Sequence, residues 1–313
     1  MGKRIDFIDY AKGVCIMFIV LFHEQVSRLP YAAKWGGYVT TVYVVMFFLM
    51  SGLFFKPVEL KAKLKRLLIP FLSFYVISFG VYAAKAFLKY DVIEWHKFIL
   101  PFIGKTTGFE GSAQWFLISL MEIMTMAYLI AKYLKFQCGL PLSIAMSVFG
   151  YYLGTCFKVP YFIDVSMLCL PFFMVGYYYK ENVLQMKMKY GLGLFLLSII
   201  FFMLNPGWTN VSMNSEPSGY IIFTLVALTG SISIIVLCKL VKIKVLQKLL
   251  TFYGQNTLII MCTHMMLLNI PFFIDRHIWN HWSSVICGFI CIMLIEIPVI
   301  ILINKHAKFL IGK

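Results

Sequence analysis

Ten apolar segments divide the chain, and they restrict its possible folds more than any other feature. They cover residues 11–27, 38–55, 67–88, 115–131, 140–156, 164–179, 191–204, 220–238, 254–273 and 283–304. Most have nearly the length that a helix needs to cross a bilayer, which is about 20 residues. We therefore expect an all-α fold, a polytopic membrane helix bundle of about ten transmembrane helices that forms a single domain over 1–313.

Composition excludes most other classes of protein. Hydrophobic residues make up 61% of the chain and charged residues only 13%, against about 25% in a typical soluble domain. A soluble globular enzyme could not cover that much apolar surface, and a nucleic-acid-binding module is excluded in spite of the net charge of +15. The eight cysteines form no C-x-x-C pair, so we predict neither a metal site nor a disulfide framework.

Basic residues predict the orientation of the bundle. If the N-terminus is inside and the segments alternate, 20 of the 28 Lys and Arg residues fall on the inner side. Cytoplasmic loops carry such an excess, so we expect both termini in the cytoplasm. The basic loops would then lie against the anionic headgroups of membrane lipids.

Lys12 and His23 lie eleven residues apart in the first apolar segment. In a helix this spacing is about 1100°, three turns plus about 20°, so both residues share one face about 16 Å apart. A cation at the cytoplasmic mouth and a titratable base near the midplane would suit a long donor with an anionic head and a reactive tip. The alternative is a snorkelling lysine and a hydrogen-bonded structural histidine.

Four further ionisable residues, Glu24, Glu122, His264 and Glu296, are candidates inside apolar segments, where a charge is expensive. Glu24 follows His23 but points about 100° away from it. Glu122 could orient the His23 ring or pair with another helix, and the sequence does not choose between these. His264 lies at a depth similar to that of His23, and a structural hydrogen bond is the simpler role for it. Glu296 precedes Pro298 and could bond backbone that the proline leaves unpaired.

Taken in order, these motifs resemble the acyltransferase-3 family of integral membrane O-acyltransferases. Lys12-x10-His23 is similar to the family's R/K-x10-H signature, and YGQNTLIIMCTH (253–264) is similar to its G-x-x-S-L-x5-H helix. Further similar stretches are VVMFFLMSGLFF (44–55), KAKLKRLLIPF (61–71), QWFL (114–117), LPFFMVGYYY (170–179) and EIP (296–298). The compact chain looks most like the stand-alone, fucose 4-O-acetylase-like bacterial members.

The resemblance implies an enzyme of the bacterial inner membrane. It would transfer an acyl group, usually acetyl, from cytoplasmic acyl-CoA to a hydroxyl of a glycan or lipid-linked saccharide, with acyl-CoA as donor substrate and no permanently bound cofactor. The catalytic residues implied are His23 as general base, Glu122 and His264. Those implied to bind substrate are Lys12, Lys65 and Arg66 at the CoA end, Trp115 in the outer part of the tunnel, and Asn256 and Thr257 near the reacting centre.

Other functions stay open at this point. If the protein were a transporter or flippase of a lipid-linked saccharide, we would expect internal repeats. We find no convincing repeat between residues 1–155 and residues 156–313. The other large His-dependent family of membrane acyltransferases carries its key histidine late, which favours His264 over His23. An assembly subunit would leave Lys12 and His23 without a shared purpose. The acceptor, the acyl chain, a covalent intermediate and the oligomeric state are not readable from the sequence.

Overall fold

The computed structural model describes residues 5–23, 32–90, 92–99, 112–157, 159–207, 209–215, 219–268 and 282–313. Within these ranges the chain is helical, and the only extended pairing is an isolated bridge between Asn210 and Ser215. The prediction of an all-α bundle is therefore confirmed.

Twelve α-helices lie in the described ranges. They are α1 Asp6–His23, α2 Ala32–Leu53, α3 Leu60–Tyr90, α4 Trp115–Tyr133, α5 Phe136–Cys156, α6 Ile163–Tyr178, α7 Lys180–Gln185, α8 Met188–Leu204, α9 Tyr220–Leu237, α10 Lys244–Gln255, α11 Thr257–Leu267 and α12 Trp282–His306. Short 3-10 turns connect several of them, and one at Lys308–Ile311 follows α12.

Each of the ten predicted segments coincides with one of these helices. Within the described ranges seven helices are long and apolar enough to cross a membrane, and α8 and α11 are shorter apolar helices. The first helix begins at Asp6, earlier than predicted. The acidic side chains of Asp6 and Asp9 lie in its first turn, where negative charge is stabilised by the positive end of the helix dipole. Residues 24–27 and 269–273 of the predicted spans lie outside the described residues. The number of spans and the cytoplasmic position of the termini stay predictions.

Helix α1 lies at the centre of the bundle and contacts α2, α9, α10, α11 and α12. Its Cys15 belongs to one hydrophobic cluster, built mainly from α2, α4, α6 and α9. The next residue, Ile16, belongs to a second cluster, built mainly from α3, α11 and α12. Successive residues of a helix point about 100° apart, so α1 joins the two clusters and presents different faces to each.

Two glycines allow α1 and α10 to cross with their backbones in contact. A Cβ at Gly13 would collide with the backbone of Leu250, and a Cβ at Gly254 would collide with the carbonyl of Asp9. Only glycine permits such a close approach between two helix backbones. Since α11 begins three residues after Gly254, this crossing also sets where α11 stands relative to α1.

Replacing Gly254 by alanine should destabilise the protein. The new methyl group would meet backbone that cannot rotate away, and overpacking of this kind typically costs about 1–3 kcal/mol. The matched control is Gly193→Ala in α8, where the added carbon meets open space and helix propensity favours alanine by about 1 kcal/mol. Thermal unfolding in detergent should show a lower midpoint for Gly254→Ala only; equal midpoints for the two variants would contradict the packing account.

Candidate active site

A cavity of about 300 Å³ lies inside the bundle, between α1, α2, α3, α4 and α11. Its wall is mostly aliphatic and aromatic. Within the described residues the polar side chains that line it are Lys12, His23, Ser51, Trp115, Thr257 and His264. Mostly apolar pockets with a few polar groups are typical of binding sites for small molecules and cofactors.

Helix α1 supplies one complete face of this cavity. Lys12, Ile16, Ile19 and His23 all line it, and they are spaced at i, i+4, i+7 and i+11, which is one helix face. The structure therefore places Lys12 and His23 on a common surface, as their spacing predicts. Along the helix they are about 16 Å apart. The cavity therefore has a cation and an imidazole on one wall, separated by about this distance.

Three lysines surround Phe54 at the end of α2, and we call this group the lysine end of the cavity. The Lys12 ammonium lies 5.9 Å from the centre of the Phe54 ring and the Lys180 ammonium 5.5 Å from it. Lys63 donates a hydrogen bond of 2.5 Å to the Phe54 carbonyl. Because Phe54 itself lines the cavity, this end offers a concentration of positive charge to an anionic ligand.

At the other end of the α1 face, His23 meets His264 of α11. The centres of the two imidazole rings are 5.1 Å apart and the rings are inclined by 60°. His264 is fully buried, and His23 is the last residue of α1. Both side chains line the cavity, so two titratable groups face the same space.

One hydrogen bond determines which nitrogen of His264 faces the cavity as an acceptor. Its Nδ1 lies 2.7 Å from the carbonyl oxygen of Ile260, and a carbonyl can only accept, so Nδ1 carries the proton. In the neutral ring Nε2 then has a free lone pair, and it has no hydrogen-bond partner in the described structure. A buried polar atom left without a partner in a cavity is a candidate for contact with a ligand.

A buried carboxyl group braces the helix that carries His264. The Thr263 hydroxyl lies 2.7 and 3.0 Å from the two carboxyl oxygens of Glu296, and Glu296 is fully buried in α12. We expected Glu296 to bond backbone near Pro298, and its partner is Thr263 instead. This contact fixes α11 against α12 one residue before the catalytic candidate.

Trp115 and Thr257 also line the cavity, and sequence reasoning named both. It missed Ser51, which lines the cavity and donates 2.8 Å to the Phe47 carbonyl. The serine-glycine ending of the motif at 44–55 was the available signal for it. It also missed Lys63 and Lys180, for which the sequence offers only their basic character.

Four predicted site residues lie away from this cavity. Glu122 accepts a 2.6 Å hydrogen bond from Ser166 and, with Lys65, lines a separate open groove of about 610 Å³. Arg66 lies with its backbone beside Gly312, and Asn256 lines a different cleft. For Glu122 and Lys65 the reason is their angular position on the helix. Glu122 follows the cavity residue Leu120 by two residues, and Lys65 precedes the cavity residue Leu67 by two. Two residues correspond to about 200° around a helix, so each side chain points away from the cavity.

A family model described as an acyltransferase domain, that of the acyltransferase-3 family, matches residues 5–303. No curated protein and no solved structure gives a significant match. The matched range includes every residue that lines the cavity, so the family match and the site cover the same part of the chain.

The Thr263–Glu296 contact predicts a specific pattern of stabilities. Thr263→Val should lower the free energy of unfolding by about 1–3 kcal/mol, because it leaves a buried carboxyl group without a partner. The double variant Thr263→Val/Glu296→Leu, which removes both polar groups, should recover part of that loss. Chemical or thermal unfolding in detergent of the wild type, Thr263→Val, Glu296→Leu and the double variant measures the coupling, and strictly additive effects would show that the contact contributes nothing.

Proposed function

Because the chain belongs to the acyltransferase-3 family, we propose that it is an O-acyltransferase of the bacterial inner membrane. It would move an acyl group, usually acetyl in this family, from cytoplasmic acyl-CoA to a hydroxyl of a cell-envelope or exported glycan. The observation that supports this best is one apolar cavity lined by Lys12 and by the two histidines, with Lys63 and Lys180 beside Phe54 at the Lys12 end. Acyl-CoA has the matching layout: phosphates, a long flexible arm and a reactive thioester.

In this proposal the lysine end binds the phosphates of the donor. Bonds between ammonium groups and phosphate are charge-assisted and roughly twice as strong as neutral ones. The pantetheine arm then follows the α1 face for about 16 Å, past Ile16 and Ile19, and the thioester comes to rest beside His23. Lys12 binds as a point charge, without the forked geometry of an arginine.

His23 acts as the general base on the acceptor hydroxyl. As it takes the proton, the hydroxyl oxygen bonds to the thioester carbonyl carbon and the carbon–sulfur bond breaks. The proton on His23 then passes to the departing thiolate, which restores the neutral imidazole. A positioned base of this kind typically contributes about 10²–10⁴ in rate, and the apolar wall keeps out water that would hydrolyse the thioester.

His264 supports this step as a fixed acceptor. Its Nδ1 is committed to Ile260, so Nε2 can only accept while the ring is neutral. Facing His23 at a ring distance of 5.1 Å, it is placed to stabilise the imidazolium formed there or to accept from the acceptor substrate. The brace to α12 through Thr263 holds this nitrogen in position.

A flippase for a lipid-linked saccharide is less well supported by this cavity. Proteins hold sugars through many hydrogen bonds, for which carboxylate and amide side chains serve well. Within the described residues no Asp, Glu, Asn or Gln lines the cavity, whereas an acyl thioester needs mainly apolar contacts.

An acetyl-transfer assay tests the proposal. Purified protein in liposomes receives labelled acetyl-CoA and envelope glycan from a deletion strain, and the label transferred to the glycan is measured. We expect His23→Ala to lower transfer by about 10²–10⁴ with unchanged yield and thermal midpoint. The glycan of the deletion strain should also lack acetyl groups by mass spectrometry. Full activity of His23→Ala would make His264 the first candidate for the base, and a wild-type protein that binds no acyl-CoA would favour the transporter.

From the lysine end of the cavity we predict which lysines contribute to the binding of acetyl-CoA. Lys12→Ala and Lys180→Ala should each weaken acetyl-CoA binding by about 10- to 150-fold, the loss expected when a charged hydrogen bond worth about 1.5–3 kcal/mol disappears. Lys12→Arg should be tolerated because the charge remains.

The matched control is Lys65→Ala, which removes the same charge from the basic run but lies on the separate groove. Calorimetric titration of detergent-purified proteins with acetyl-CoA makes the comparison. Equal weakening in Lys65→Ala would show that binding depends on overall charge rather than on the cavity.

A further inference from the structure

A second polar site lies at the end of the bundle where α1 begins, away from the reaction cavity. It is an open cleft of about 490 Å³ between the end of α10 and the last turns of α12. Asn256, Asn304, Lys305 and Lys308 line it together with apolar side chains. Nothing in the proposed reaction uses this cleft.

An amide pair forms the floor of the cleft. Asn304 Nδ2 donates 2.8 Å to Asn256 Oδ1 and 3.0 Å to the Ile300 carbonyl, and Asn256 Nδ2 donates 2.7 Å to the Phe252 carbonyl. An amide has two donors and an acceptor oxygen. One N–H of Asn256 and the oxygen of Asn304 therefore remain available among the contacts of the described residues.

Two lysines form the lip of the cleft. Lys305 and Lys308 are exposed, and neither has a carboxylate partner within the part of the chain that the structure describes. A lysine at the end of α12 suits the helix dipole, but Lys308 lies beyond that helix. The lip therefore carries two uncompensated positive charges over an amide floor.

The wall of the cleft is apolar and partly exposed. Ile301, one turn before Lys305 in α12, is 54% exposed, and Phe252 closes the cleft from α10. The cleft thus offers cations at its lip and an exposed apolar surface about one turn further along α12, a helix long and apolar enough to cross a membrane.

We propose that this cleft is a binding site for an anionic phospholipid. The phosphate sits between Lys305 and Lys308, the polar part of the headgroup meets the Asn256–Asn304 pair, and the acyl chains run along Ile301. A soluble phosphate compound would match the lysines but would gain nothing from the exposed apolar wall. Basic pockets between transmembrane helices are a known way for proteins to bind acidic headgroups.

The test compares two double variants in phosphatidylcholine nanodiscs that contain a minor fraction of phosphatidylglycerol. Lys305→Ala/Lys308→Ala removes the lip, and Lys242→Ala/Lys244→Ala removes two exposed charges elsewhere. Native mass spectrometry counts phosphatidylglycerol molecules retained after detergent washing. We expect one retained lipid on the wild type, about tenfold or more weaker retention in the lip variant, and wild-type retention in the control.

Each other outcome overturns the proposal. Equal loss in both double variants would mean general attraction to anionic lipid, and no retained lipid on the wild type would mean no site. Displacement of the lipid by coenzyme A or inorganic phosphate would assign the cleft to a soluble phosphate compound. Thermal midpoints in pure phosphatidylcholine check folding, and Lys305→Gln/Lys308→Gln replaces the alanine variant if that protein is unstable.

Discussion

The backbone contact between α1 and α10 is the constraint on which the candidate site depends. Gly13 and Gly254 let the two helices touch without intervening side chains, and α11 starts directly after this contact. The contact therefore fixes the relative position of two helices that carry one imidazole each. A spacer as small as a methyl group at either glycine would separate them at the level of the backbone. Two glycines that do not line the cavity thus contribute to the distance between His23 and His264.

Two carboxyl groups inside the described part of the bundle, those of Glu122 and Glu296, accept hydrogen bonds from neutral hydroxyls. Ser166 donates to Glu122 and Thr263 donates to Glu296, and neither acid forms an ion pair among the described residues. An unpaired buried charge is costly, so hydroxyl partners are an economical way to keep an acid in a bundle. The contrast with His264 is informative, because its Nε2 is buried and unpartnered within the cavity. Glu122 and Glu296 therefore each have a hydrogen-bond partner. Nε2 of His264, where we place the chemistry, has none among the described residues.

The features that could be predicted from the sequence are those that depend on residues close together in the chain. The ten helical segments follow from hydrophobic runs, and the common face of Lys12 and His23 follows from an eleven-residue spacing within one helix. The direction in which a second helix faces depends on its neighbours. Nothing in the basic run at 61–66 distinguishes Lys63, which reaches Phe54, from Lys65 and Arg66, which do not. Lys180 comes from a distant part of the chain and reaches the Phe54 ring because α6 packs on α2.

Asn256 shows how the two proposed sites are related. Resemblance to a family motif assigned this residue to the reacting centre, yet its side chain bonds to Asn304 in the outer cleft. Its backbone separates α10 from α11, and its carbonyl accepts the first hydrogen bonds of α11 from Ile259 and Ile260. Thr257, the next residue, faces the reaction cavity. A lipid held against the Asn256–Asn304 pair would therefore stabilise the break between the helices at the point where α11, and with it His264, begins.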